Sequence, residues 1–144
     1  MLRKLSWYVF LMVGIVIGLG AFGHGYSAVK VHQAIDELSI ARPIYETIFV
    51  VWYMASGVML AFATMIVWIA FRVSAGDANS LFVAQVIGAL YFVFGIAALV
   101  YRHGDRFWIL FIVLGALLMG TSAVLSSNRP NLEEKHFVSQ EIAR

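Results

Sequence analysis

Residues 81–101, LFVAQVIGALYFVFGIAALVY, and residues 107–125, FWILFIVLGALLMGTSAVL, decide the fold. Neither run holds a charged residue, and between them stands only Arg102-His103-Gly104-Asp105-Arg106, a tight charged turn. A bilayer has a hydrocarbon core about 30 Å thick, and a helix rising about 1.5 Å per residue crosses it in roughly 20 apolar residues. Both runs have that length. Outward from them, Leu5–Phe22 and Ile44–Phe71 are also long and apolar, with no charge near their centres. The sequence therefore predicts an all-α fold, an integral membrane bundle of four transmembrane helices. The spans are expected over about 5–24, 44–71, 81–101 and 107–126, with a polar tail over 128–144, the whole forming one membrane domain.

Composition agrees. Of 144 residues, 62% are hydrophobic and 12% charged, and mean hydropathy is +0.87. Soluble domains carry about 25% charged residues, and the short loops leave no room for a soluble catalytic domain. The net charge of +2 does not imply nucleic acid, because the basic residues stand at span ends and form no stripe interleaved with aromatics. Trp7, Tyr8, Phe107 and Trp108 fit interfacial belts. The absence of cysteine excludes disulfide exchange and thiolate metal sites. Leu2-Arg3-Lys4 before an apolar run is reminiscent of a signal peptide. The run is long for a leader, however, and Ala21 and Gly23 make a poor cleavage site, so span 1 is expected to be retained.

Gly14 and Gly18 form a small-xxx-small pair suited to close helix contact. Gly18 to Gly23 also matches GxGxxG, but that motif needs a preceding strand and a βαβ unit, which a membrane helix cannot supply. Gly88, Gly95, Gly115 and Gly120 extend the helix-contact reading to spans 3 and 4. From Tyr26 to Ala41 the spacing of Ala28, Val31, Ile35 and Leu38 is helical, giving either an extension of span 1 or a short interfacial helix. Pro43 is placed to open span 2, Asp77, Asn79 or Ser80 to cap span 3, and Asn131 to cap a short tail helix. An even number of spans puts both termini on one side. That side carries Arg3, Lys4, Arg72, Arg129, Lys135 and Arg144, against Lys30, Arg42, Arg102 and Arg106 opposite, which leans towards cytoplasmic termini.

One constellation could carry chemistry. His24, His32 and His103 fall on the side away from the termini, with Asp36, Glu37, Glu46 and Asp105. Imidazole and carboxylate together suit zinc or copper, and two imidazoles can hold a haem. Thus His24, His103, Glu46 and His32 are the candidate metal or haem ligands. On a continuous helix His24 and His32 lie about 12 Å apart, so sharing one ion would need a break at Gly25. The plainer expectation is that these groups are solvated or paired, His32 with Asp36 one turn on, His136 solvated in the tail, and that no cofactor is held. The deeper polar residues Tyr53, Ser56, Thr64, Gln85, Tyr91, Thr121 and Ser122 can hydrogen-bond between helices, the default reading, or line a small cavity, for which Trp52, Tyr53, Ser56, Gln85 and Tyr91 are the candidates. With no His or Lys expected at its depth, Ser56 is not read as a nucleophile, and no catalytic residue is proposed.

Gly23-His24-Gly25 at the end of the first helix, and the run Trp52-Tyr53-Met54-Ala55-Ser56 early in the second, resemble a broad group of small, uncharacterised four-helix proteins of the bacterial inner membrane. The likeness covers the first half of the chain and implies topology and location, with no established activity. The leading functional expectation is a binding or accessory protein of the membrane. Its glycines would pack helices against one another, a second copy or a larger complex, with lipid and membrane subunits as its partners. The alternatives are a binder or carrier of a small lipophilic molecule such as a quinone, a sterol or a lipid-like compound, and a haem or metal protein.

Overall fold

The structure is a computed structural model and describes residues 2–36, 38, 40–77 and 79–127. The expected tail helix, Asn131, His136 and Glu37 lie outside the described residues. In chain order the elements are α1 (Leu2–Asp36), α2 (Arg42–Ser74), α3 (Leu81–Tyr101), a 3-10 turn (Arg106–Trp108) and α4 (Ile109–Ser127). Four helices, counting the 3-10 turn with α4, are long and apolar enough to cross a membrane.

Their lengths fall into two classes. α3 has 21 residues and α4 with its 3-10 turn 22, about 31–33 Å at 1.5 Å per residue, close to one bilayer core. α1 has 35 residues and α2 33, about 50 Å each. The segment after Gly25 is thus an extension of α1 and not a separate interfacial helix. The break at Gly25 that would let His24 and His32 share an ion does not occur. Four-residue spacing keeps an apolar face available throughout, so nothing in the sequence forces a bend.

The helix ends are chemically explicit. Pro43 sits in the first turn of α2, where its missing N–H is no loss, and the Ala41 carbonyl accepts from the Ile44 and Tyr45 amides at 2.9 and 3.1 Å. α2 closes with a Schellman motif: Asp77 N–H donates to Arg72 O and Gly76 N–H to Val73 O, both at 3.0 Å, with Gly76 at φ 93°. α3 repeats the device, Gly104 N–H to Leu99 O at 2.8 Å and His103 N–H to Val100 O at 3.2 Å. Here the left-handed position is filled by His103 at φ 52° instead of glycine. Ser80 stands at the N-cap of α3 but makes no side-chain capping bond. The Asp77 carboxylate instead accepts from Asn79 N–H at 2.8 Å. Asp105 accepts from Phe107 N–H at 3.1 Å and opens the 3-10 turn.

Contacts divide the chain into two units. The first joins residues 2–11 to residues 68–127. In it α3 and α4 lie against one another along Ala84, Ile87, Gly88, Tyr91 and Gly95 on one side and Leu114, Gly115, Leu118 and Ser122 on the other. Gly88 and Gly115 set the separation: a Cβ on Gly115 would stand 2.5 Å from the Gly88 carbonyl oxygen and 2.6 Å from the Phe92 nitrogen. Arg72 pairs with Asp77 and lies 5.5 Å from the Trp68 ring centre. The second unit, residues 12–67, is an antiparallel pair of α1 and α2 segments around Val13, Ile17, Ala21, Ala28, Phe49, Ala63 and Ile66. Gly14 faces Ala63 and Val67, Gly18 faces Ala63, Gly20 faces Met59 and Gly25 faces Ser56. The register therefore descends α2 steadily as α1 advances.

Candidate functional site

That register brings His24 to Ser56. The His24 Nδ1 lies 2.8 Å from Ser56 Oγ, and its ring stacks on Trp52 with centres 4.3 Å apart and planes 13° from parallel. Trp52 Nε1–H donates to the His24 carbonyl at 2.8 Å, as does the Ser27 hydroxyl at 2.7 Å. Ser56 Oγ is also 3.2 Å from the Trp52 carbonyl, one turn back on α2. Two backbone turns are thus tied together by one imidazole, one indole and two hydroxyls, all half-buried. The expectation that no base reaches Ser56 is overturned. It set the histidines at the membrane edge and Ser56 deeper in span 2, whereas about four turns of α2 precede Ser56 and run beside the C-terminal part of α1. The pair is nonetheless poorly built for acyl transfer. Ser56 sits inside an α-helix, where backbone N–H groups are spent on the helix and cannot form an oxyanion hole.

Beside this knot a cavity of about 600 Å³, open along one side, is lined by His24, Pro43, Ile44, Thr47, Ile48, Val51, Trp52 and Ala55. Ile44, Ile48, Val51 and Ala55 recur at helical spacing and give it an apolar wall. Two turns further along α1, His32 stacks on Phe49 at 3.4 Å and 10°, and its Nδ1 hydrogen-bonds the Tyr45 hydroxyl. The expected local pair of His32 with Asp36 does not form, because the stack on Phe49 draws the imidazole across to α2. Tyr45 and Phe49 were not singled out from the sequence, yet a signal existed: 45, 49, 52 and 56 share one helical face, as do 24, 28 and 32.

The other candidates are more dispersed. Glu46 is exposed and paired with Arg42 at 2.8 Å. His103 is exposed in the turn after α3, held there by the backbone role described above. Tyr53 is 53% exposed and is not among the residues lining the cavity. Gln85 is half-buried on α3, and Tyr91 is buried in a parallel stack on Phe111 at 5.6 Å. Ser122 is fully buried, its hydroxyl without a hydrogen-bond partner among the described residues, and Thr64 bonds back to the Leu60 carbonyl at 2.9 Å. Among the described residues no three His, Cys, Asp or Glu side chains converge as a metal site. Gly95 closes on Ile112, where an added Cβ would meet atoms at 2.8 Å, whereas Gly120 has nothing within 4 Å. Comparison of the chain with protein-family models, with curated proteins and with solved structures finds no match.

Proposed function

We propose that this chain is a multi-pass membrane protein that binds a small lipophilic molecule in the cavity beside His24 and Trp52. The single observation that carries the reading is the cavity itself: about 600 Å³, apolar along α2 and edged by one imidazole and one indole. Ligand sites are mostly apolar, with a few fixed polar groups that set orientation. A membrane setting is supported by four candidate spans and by large side chains such as Leu19, Phe22, Val93 and Val100, all 65–72% exposed. Such a surface suits lipid and not water. The bias of basic residues favours cytoplasmic termini, and the resemblance of Gly23-His24-Gly25 and Trp52 to Ser56 to small four-helix proteins points to a bacterial inner membrane.

The test is a native mass spectrum of protein extracted gently from its own membrane. Extra mass in the range of a lipid-like molecule, lost on Trp52→Ala, is the expected result. A bare chain under conditions that keep other lipids bound would overturn it. A second reading, assembly with a further copy or another membrane subunit, draws on Gly57, which has no neighbour within 4 Å, and Ala61 one turn on, both exposed. The other packing glycines named above, apart from Gly120, are already spent on contacts within the chain. Gly57→Leu abolishes a cross-linked dimer if this face is used, and leaves a monomer unchanged if it is not.

A further inference from the structure

The cavity has a chemical polarity that narrows its occupant. Its polar lining is His24, Thr47 and Trp52, and the donors there are committed to backbone carbonyls. The Thr47 hydroxyl donates to Pro43 O at 2.8 Å and Trp52 Nε1–H to His24 O at 2.8 Å. Behind the imidazole, Ser56 has one hydroxyl proton and two neighbours, the Trp52 carbonyl and His24 Nδ1. A carbonyl can only accept, whereas an imidazole nitrogen can do either. If Ser56 donates to the carbonyl, then Nδ1 carries the proton and donates to Ser56 Oγ, and every group of the knot is satisfied. Ser56 lies four residues beyond Trp52 on one helix, the usual geometry in which a serine hydroxyl donates back to a carbonyl, and it does so at 3.2 Å. One ring face of His24 is covered by Trp52 and its Nδ1 edge is turned to Ser56. Nε2 is the ring's remaining polar atom, and it is a bare acceptor.

We infer that the site selects a lipophile carrying a hydroxyl donor, an alcohol or a phenol, which it binds by an O–H to His24 Nε2 hydrogen bond with its apolar body along Ile44, Ile48 and Val51. This rests on the binding reading given above. Its ether or ketone counterpart, of nearly the same shape, offers no proton and leaves Nε2 unpaired.

The experiment uses the full chain in lipid nanodiscs and two probes that differ only in the donor, 4-decylphenol and 4-decylanisole. The phenol is expected to bind about tenfold more tightly, the effect of one hydrogen bond. His24→Phe keeps a ring to stack on Trp52 but has no acceptor, and should bring the two probes within about twofold of each other. In 15N-histidine-labelled protein, the His24 signals should report the Nδ1–H tautomer without needing a variant. Equal binding of the two probes to the native chain, tighter binding of the anisole, an Nε2–H tautomer, or a phenol preference that survives His24→Phe each overturns the inference, while the binding reading stands. If neither probe binds folded protein, both fall.

Discussion

The α1–α2 pair over residues 12–67 and the α3–α4 pair solve the same problem, holding two apolar helices together, with different chemistry. α3 and α4 meet through glycine. Gly88, Gly95 and Gly115 let backbone approach backbone, with Tyr91 stacked on Phe111 beside them. α1 and α2 also use glycines, at 14 and 18, but towards residues 24 to 56 they change to stacked rings and hydrogen bonds: His24 on Trp52, His24 to Ser56, His32 on Phe49. Where lipid is the solvent, apolar association gains nothing from water release, so close backbone contact is the available adhesive. Polar ties are costly to place there and add little per bond, near 0.6 kcal/mol. A cluster of them is poor economy as glue alone, and this one stands beside a cavity. The seam of glycines reads as scaffold and the knot of rings as site.

Substitutions can break that contrast. The largest effect is expected for Gly115→Val, whose Cβ would stand 2.5 Å from a carbonyl oxygen that cannot move without its helix. A loss beyond about 3 kcal/mol should show as failure to recover monodisperse protein after extraction. Gly14→Ala should cost less, about 1–2 kcal/mol, because its nearest obstacle at 2.7 Å is a Val67 methyl and the backbone atoms stand farther off, at 3.2 and 3.3 Å; thermal melting in detergent measures it. Ser56→Ala should lower stability by only about 0.6 kcal/mol in the same melt, yet weaken ligand retention in native mass spectrometry. If it destabilises as strongly as Gly115→Val, the knot is scaffold after all. Gly120→Ala, with nothing within 4 Å, should stay within about 0.5 kcal/mol of the native chain. Last and opposite in sign, His103→Gly relieves a left-handed backbone at φ 52° and should raise stability by up to about 1 kcal/mol.

Much of the fold was legible because bilayer thickness turns hydropathy into length. α3 and α4 fall where uncharged runs begin and end, and Arg102–Arg106 turns as its charges and glycine require. α1 outran its expected span because Lys30 and Asp36 mark where apolar character ends, not where helical hydrogen bonding ends. The site was legible only in pieces. His24 stood out as an edge imidazole and Trp52 and Ser56 as inner residues of the next span, on opposite sides of an assumed depth boundary. Gly23-His24-Gly25 and Trp52 to Ser56 are the two runs that meet, but the register that joins them is fixed by Gly14, Gly18 and Gly20 against Val67, Ala63 and Met59, three-dimensional matches that no single helix displays.

The contact of Gly88 with Gly115 carries one more consequence. A Cβ on Gly115 would lie 2.5 Å from the Gly88 oxygen, and a Cβ on Gly88 would lie 2.9 Å from the Gly115 oxygen. In the real chain a hydrogen occupies each of those directions. Each glycine therefore turns a Cα–H towards the other's carbonyl, the arrangement in which a weak C–H···O contact, where it forms, is worth about 0.5–1 kcal/mol. In a medium without water nothing competes for those carbonyl lone pairs. A stretch that every hydropathy scale scores as featureless thus brings two carbonyls within reach of carbon-bound protons, and an isotope-edited carbonyl frequency at Gly88 that shifts in Gly115→Ala would report that contact.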